Sequence, residues 1–449
     1  MQAIGKATDW RGLCGLVLAL LSASFVGCST HARRLATPRS TFYANRLPTA
    51  RAQLEKLVEK PKGDATVVQL DLAMVDLFSG DPARAESRLR EVRDQWDRGS
   101  SKLKSTASLL TDDSKTNYSG EDYEQILVRF FLTLCSMMGD RIDAQSYSLQ
   151  TLTKQREIVG LHRELESGDF TADDNYCIPA VAPYVRGVLR EATHSNYDDA
   201  LRSYKRAKAI EPLAAFLDQD IQRVTSGRHS QRGNGVVYVI AMVGQGPRKE
   251  ETSAQATQQA LLLADQIVSA VGQYSVPPTI APVKVPTVIS GPKPFDLIGI
   301  EVAGQPIGTT LPITDLHQMA LQSMDANMSQ TIARAVARRV IKKGAVYAAK
   351  DKLGSQSDIT SLVLDAAGVA WEATESADTR CWGLLPREIQ IARVELPAGA
   401  HRIHLEPIVA SQPVASGTTC DVNVSDGKNS YVLGYWPGLS HIGNILVSD

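Results

Sequence analysis

Ten residues near the middle of the chain, Ser226 to Gly235, constrain the fold more than any other stretch. Before them, from Ala50 to about Ser226, apolar residues recur at helical spacing and β-branched runs are scarce. Directly after them comes Val236-Val237-Tyr238-Val239-Ile240-Ala241-Met242-Val243, an unbroken run with the length and branching of a buried strand. Glycine and polar residues between the two patterns are linker chemistry. The expected fold class is therefore multidomain α+β: an N-terminal all-α domain over 46–225, then a mixed α+β domain over 236–449.

Within the second half, Gln255 to Val271 reads as a helix. Val283 to Ile289 and Leu297 to Val302 read as strands, the latter turning at Ala303-Gly304. A long helical block follows from about Asp315 to Leu353, and a further helix over 357–374. Two β-hairpins are expected, Ile389–Leu396 with His401–Leu405, and Asp421–Val424 with Asn429–Tyr435. Helices and strands do not alternate regularly, which fits α+β better than a doubly wound sheet.

The N-terminus reads as an export signal over 1–27. Lys6 and Arg11 precede an apolar run from Gly12 to Val26. At about 15 residues the run is short of the roughly 20 needed to span a bilayer but suits a signal peptide. It ends in Phe25-Val26-Gly27-Cys28, which resembles a bacterial lipobox with Phe25 where leucine is usual. The resemblance implies that Cys28 is diacylated and becomes the mature N-terminus, a stable anchor because several acyl chains act together. Ser29 after the cysteine favours the outer membrane, and residues 28–45 read as a polar tether.

Cys14 leaves with the signal, so four cysteines other than Cys28 remain: Cys135, Cys177, Cys381 and Cys420. An oxidising compartment permits disulfides, and Cys381 with Cys420 is the favoured pair. No CxxC occurs, which excludes a zinc ribbon or a thioredoxin-like motif.

Three segments of the helical half share a pattern. Leu72–Asp81 leads to Ala85, Phe131–Asp140 leads to Ala144, and Tyr184 and Gly187 lead through Asn196-Tyr197 to Ala200. Each resembles a tetratricopeptide helix-turn-helix, in which a small alanine lets the second helix approach closely. The alanines lie 59 and 56 residues apart, beyond the 34 of a regular array, so loops interrupt any repeat.

Several landmarks are similar to those of uncharacterised bacterial lipoproteins with tetratricopeptide-like helices and a C-terminal α+β domain. They are Tyr118–Glu124, Val243–Lys249, Ile332–Val336, Glu375–Pro386 and Leu396–His401. Cys381, where the pattern has a small polar residue, and an insert around Gln255 to Ser275 depart from it. The resemblance implies a cell-envelope location and a link to cell-wall assembly, without a settled activity.

Chemistry-bearing motifs are few. Glu375, Asp378, Arg380 and Trp382 place two carboxylates, a guanidinium and an indole in one short stretch. They form either a grip on an anionic ligand or a structural junction. Gly244-Gln245-Gly246 lacks the third glycine of a dinucleotide fingerprint, and no P-loop is present. HExxH and GxSxG are absent. Ser101–Lys104 and Ser425–Lys428 match SxxK without its partner motifs. His401 and His404, three apart on a strand, point to opposite faces and cannot share a metal. Arg334, Arg338, Arg339, Lys342 and Lys343 make a basic stripe beside an apolar one, either a solvated face or a contact for anionic headgroups.

The 48 basic and 49 acidic residues leave a net charge of −1, without the basic surplus that nucleic-acid binding requires. The expected protein is a lipid-anchored, non-catalytic envelope scaffold that binds a partner protein through its helices, with no cofactor or metal. The alternative is a ligand-binding or hydrolytic C-terminal domain with its site near Glu375–Trp382.

Overall fold

The computed structural model describes residues 31–60, 63–100, 117–165, 178–271, 276, 281–353 and 376–448. The chain is mixed α+β, with a helical N-terminal region followed by a sheet-rich C-terminal part. Nine helices come first among the described residues: α1 (His31–Tyr43), α2 (Leu47–Val58), α3 (Ala65–Phe78), α4 (Pro82–Ser100), α5 (Asp122–Met138), α6 (Ala144–Leu165), α7 (Val181–Glu191), α8 (Tyr197–Ile210) and α9 (Phe216–Thr225). Each packs chiefly on the next in sequence.

Local chemistry sets their ends. Gly80, at φ +88°, closes α3 while the Asp81 N–H reaches back to the Asp76 carbonyl at 3.0 Å. Pro82 then opens α4 and the Asp81 carboxylate accepts from Arg84 N–H at 2.9 Å. Ala85, Ala144 and Ala200 are all buried. A Cβ on Gly187 would fall 2.6 Å from the Tyr204 ring, so α7 and α8 touch only because that position has no side chain. Helix α3 is buried on nearly every side, including Asp71 and Asp76. Arg39 meets Asp71 at 2.7 Å, and Arg51 and Arg88 each meet Asp76 at 2.6 Å.

The segment expected to be a tether is instead a docked helix from residue 31 onward. Leu35 and Phe42 of α1 are buried in the main core, each worth roughly 1.5–3 kcal/mol. Arg39 and Tyr43 hydrogen-bond to the carbonyls of Cys381 and Gly383 at 2.7 and 2.8 Å.

The C-terminal part contains strands β1 (Asn234–Gln245), β2 (Arg248–Ala254), β3 (Val283–Ile289), β4 (Leu297–Val302), β5 (Gln305–Thr309), β6 (Leu311–Asp315), β7 (Pro386–Pro397), β8 (Gly399–Val409), β9 (Gln412–Pro413), β10 (Thr418–Val424), β11 (Asn429–Trp436) and β12 (Ile442–Val447), with helices α10 (Gln258–Val271) and α11 (Leu316–Leu353). One sheet has the order β12-β11-β1-β7-β6, and a second the order β10-β8-β4-β5, with β9 on β8. β2 and β3 pair separately and pack with α10 and α11 over a small core of their own.

β1 lies at the centre of the first sheet, parallel to β11 and antiparallel to β7. Val236, Tyr238, Ile240 and Met242 face the helices, while Val237, Val239, Ala241 and Val243 face the second sheet. Burial on both faces is why this run is continuously apolar rather than alternating. The result is three layers, helices on sheet on sheet.

Neither expected hairpin forms. β7 pairs with β1 and β6, whereas β8 pairs with β4 and β10 in the other sheet. β10 and β11 likewise belong to different sheets. The turns at Gly399 and Gly427, both at positive φ, carry the chain between layers. Alternation specifies which face is buried, but not whether a strand's neighbour is also its partner.

The stretch from Ser226 to Gly235 is a join rather than a free linker. His229 is buried, its Nε2 lies 2.8 Å from Asn429 Oδ1, and its ring sits 4.7 Å from that of His194. One apolar core runs through α1–α9 and the helix-facing side of the first sheet.

Candidate functional site

Residues 376–383 run between α5, α1 and β2 without regular structure. Asp378 and Arg380 form a two-toothed pair, Nε to Oδ1 at 2.8 Å and Nη2 to Oδ2 at 2.7 Å. The remaining guanidinium nitrogen, Nη1, donates to the Gly63 carbonyl at 2.7 Å. The Tyr118 ring lies 5.2 Å from the guanidinium carbon, and Arg380 is only 2% exposed. Burial opposes charge on Asp378, but the Arg380 hydrogen bonds outweigh it and hold the carboxyl below its ordinary range.

Trp382 is wholly buried, 5.1 Å from the Phe131 ring. Its backbone N–H donates to Glu124 Oε1 at 2.8 Å, and Tyr118 donates its hydroxyl to Oε2 at 2.5 Å. Glu124 also closes the capping box of α5 with Glu121. Burial and the Glu121 charge raise the Glu124 pKa to about 7, against the opposing pull of Trp382 N–H, Tyr118 and Lys249. Lys249 of β2 pairs with Glu121. Burial works against its charge, but Glu121 prevails and its pKa rises.

Three of the sequence landmarks, Tyr118–Glu124, Val243–Lys249 and Glu375–Pro386, thus meet in one buried polar junction. Glu121, Glu124, Lys249 and Tyr118 belong to it although their types alone did not single them out. The Glu-x-x-Glu spacing before an apolar run was the readable signal, but it marks a helix start, not a long-range partner. Against this junction, between Glu121, Lys249, Ser323 and Asn327, lies a cleft of about 60 Å³. Ligand pockets usually enclose about 300–1,000 Å³.

The other candidates lie apart. Arg334, Arg338 and Arg339 are half-buried on α11, not fully solvated. Arg339 donates to the carbonyls of Ala281 and Pro282 at 2.8 and 3.3 Å. Cys28 and Glu375, the 357–374 helix, and the side chains of Lys342 and Lys343 lie outside the described residues. Cys381 and Cys420 are free thiols rather than a disulfide. Cys381 sits beside Arg39 on the helix side of the first sheet, whereas Cys420 packs into the core between the sheets. His401 accompanies the Pro397 carbonyl at 2.7 Å, and His404 lies 3.6 Å from Glu406. Among the described residues no group of three His, Cys, Asp or Glu side chains could hold a metal, and no helix is long and apolar enough to cross a membrane.

A broad groove of about 650 Å³ opens on the helical layer, with Arg93, Asp97, Arg129, Leu149 and Lys154 among its walls. Arg129 grips Asp97 with two bonds at 2.6 and 2.7 Å. No protein-family model, curated protein or solved structure matches the chain.

Proposed function

We propose that this protein is a lipid-anchored envelope scaffold. Cys28 carries the acyl chains, and interrupted tetratricopeptide-like hairpins in the helical layer bind a partner protein in the course of cell-wall assembly. The observation that carries the reading is the Asp378–Arg380 pair, whose guanidinium is buried while its carboxylate is partly exposed. Its hydrogen-bonding edges are engaged inside the chain and Trp382 is buried beside it, which leaves the most reactive-looking stretch of the sequence holding the two halves together. The succession of helices, each packed on the next, supports a solenoid-like binding layer.

The shared core rules out deleting the helical half as a test, because the first sheet would lose its cover. Photo-cross-linking residues placed one at a time at Leu149 and Leu213, which are 51% and 91% exposed, and at Val414 on the sheet side, 40% exposed, serve instead. In intact cells we expect one envelope protein to be captured from the helical positions and not from Val414. Capture from Val414 alone, or from none of the three, contradicts the reading. Mass spectrometry of the N-terminal peptide tests the anchor separately: an unmodified Cys28 removes it.

A further inference from the structure

Two imidazole rings meet where the helical layer joins the sheets. His194 stands in the turn between α7 and α8, and its Nε2 lies 2.6 Å from the Gly427 carbonyl in the turn between β10 and β11. A carbonyl only accepts, so that nitrogen carries the hydrogen. His229, in the join itself, is 2% exposed, and its ring centre lies 4.7 Å from that of His194. Its Nε2 faces Asn429 Oδ1 at 2.8 Å, while Asn429 Nδ2 donates to the Tyr431 hydroxyl at 3.2 Å. The nitrogen without a hydrogen is then Nδ1, 3.2 Å from Ser230 Oγ, which itself donates to the Asn234 carbonyl at 3.1 Å. A proton arriving at Nδ1 finds an acceptor, but it charges a buried ring stacked on a second imidazole.

The carboxylates around the pair are engaged elsewhere. Glu191, at the end of α7, is held by Arg223 at 2.7 and 2.9 Å and by the Tyr204 hydroxyl at 2.6 Å. From β7, Glu395 accepts the Gln231 N–H at 2.7 Å and the Asn234 side chain at 3.0 Å, and Arg393 donates to the His229 carbonyl. Asp426, in the β10–β11 turn, accepts the Gly233 N–H at 2.9 Å. Arg228 and Arg232 of the join are exposed. Burial pushes the His229 pKa down; the Asn429 hydrogen bond and the Glu191 charge oppose this, and His194 and Arg393 assist it.

The geometry points to the His194–His229 stack as an acid-sensitive clasp, which holds the α7–α8 turn against the β10–β11 turn while both rings are neutral and releases it on protonation. His194 is the side that leaves. It is exposed, and its backbone sits at φ +56°, a left-handed conformation that a residue with a Cβ holds at a cost. Opening returns His229 to water, where an imidazole titrates near 6.5. Above that value neither state binds the proton, and the clasp is indifferent to pH. Below it the open state takes up a proton that the closed state resists, so opening grows as pH falls, by up to about tenfold one unit below 6.5. The inference is independent of the scaffold reading, and its test needs no partner.

Hydrogen exchange of the full mature protein, corrected for the intrinsic pH dependence of amide exchange, is read by mass spectrometry at pH 7.5 and 5.5. The reporters are peptides covering 192–197 and 425–429, where His194 N–H donates to the Glu191 carbonyl at 3.0 Å and Gly427 N–H to that of Asn234 at 2.9 Å. We expect them to lose protection at least fivefold at the lower pH, while peptides from β1 change less than twofold. His229→Gln stays neutral and keeps an amide donor for Asn429; it should cut the loss to less than twofold. His194→Gln, at an exposed position, guards against misfolding of the first variant and should at least halve the loss. His404→Gln, in the second sheet, should respond as wild type does. Protection that ignores pH, an equal loss in β1, or a loss that survives both His194→Gln and His229→Gln overturns the proposal.

Discussion

The backbone N–H of Trp382 donates to Oε1 of Glu124 at 2.8 Å, joining segments 258 positions apart in the chain. This bond places a buried carboxyl of the helical layer under the control of the sheet layer. Its neighbours, Tyr118 and the Lys249–Glu121 pair, tie the same point to β2.

Glu124 should give stability a pH signature. Its pKa is raised by burial and Glu121 from 4.5 to about 7. The folded state therefore holds a proton that the unfolded chain releases between those values, and stability from this group falls as pH rises through that window and levels off above it. Glu124→Gln keeps the group neutral. We expect the variant's melting temperature, relative to wild type, to climb from pH 4.5 to 7. A difference that stays flat across the window would show that Glu124 does not titrate there.

Gly383 is a packing constraint. A Cβ there would lie 2.3 Å from the Arg39 guanidinium, which holds Asp71 at 2.7 Å and the Cys381 carbonyl at 2.7 Å. Gly383→Ala should displace Arg39 and strand a buried carboxylate, costing about 3–5 kcal/mol. Urea denaturation measures the loss; a cost under about 1 kcal/mol would mean that Arg39 relocates freely.

For the Asp378–Arg380 pair, removing one partner should be worse than removing both. Asp378→Ala leaves a buried guanidinium without its counter-charge, at about 3–5 kcal/mol. Asp378→Ala combined with Arg380→Met should recover part of that loss. Equal stability of the single and double variants, by chemical denaturation, would show that the pair is energetically idle.

The short reach from Cys28 to α1 bears on the anchor. Residue 31 already belongs to a docked helix, so three steps of extended chain, at most about 11 Å, would separate the proposed acyl anchor at Cys28 from the body. A dye on Lys60→Cys, next to the carbonyl that Arg34 engages at 2.5 Å, should be quenched by spin-labelled lipids. A twenty-residue Gly-Ser insert after Thr30 should relieve that quenching. Quenching that ignores the insert would separate the body's position from the anchor.

Cys381 and Cys420 should behave as independent thiols. Burial raises both, Cys420 to about 11 with help from Asp421. Alkylation of native protein should mark the partly exposed Cys420 before the buried Cys381. A mass showing the two joined would reverse this assignment.

Residue order alone determined the sequence of helices followed by sheet, the central strand at Val236–Val243 and the long helix after Asp315. Each is a local pattern whose period or branching is set by neighbouring residues. It also marked Asp378 and Arg380 as a unit, because they are two positions apart. Helix α1 was hidden, because its buried residues are few and sit among Arg33, Arg34, Thr37 and Ser40. Only the tertiary structure decided that β7 and β8 enter different sheets, that Cys381 and Cys420 stay apart, and that Tyr118, Glu124, Lys249 and Trp382 form one junction. Those facts depend on which distant surfaces exclude water together. Burial turns ordinary charged residues into a connected network, and no spacing along the chain encodes that partnership.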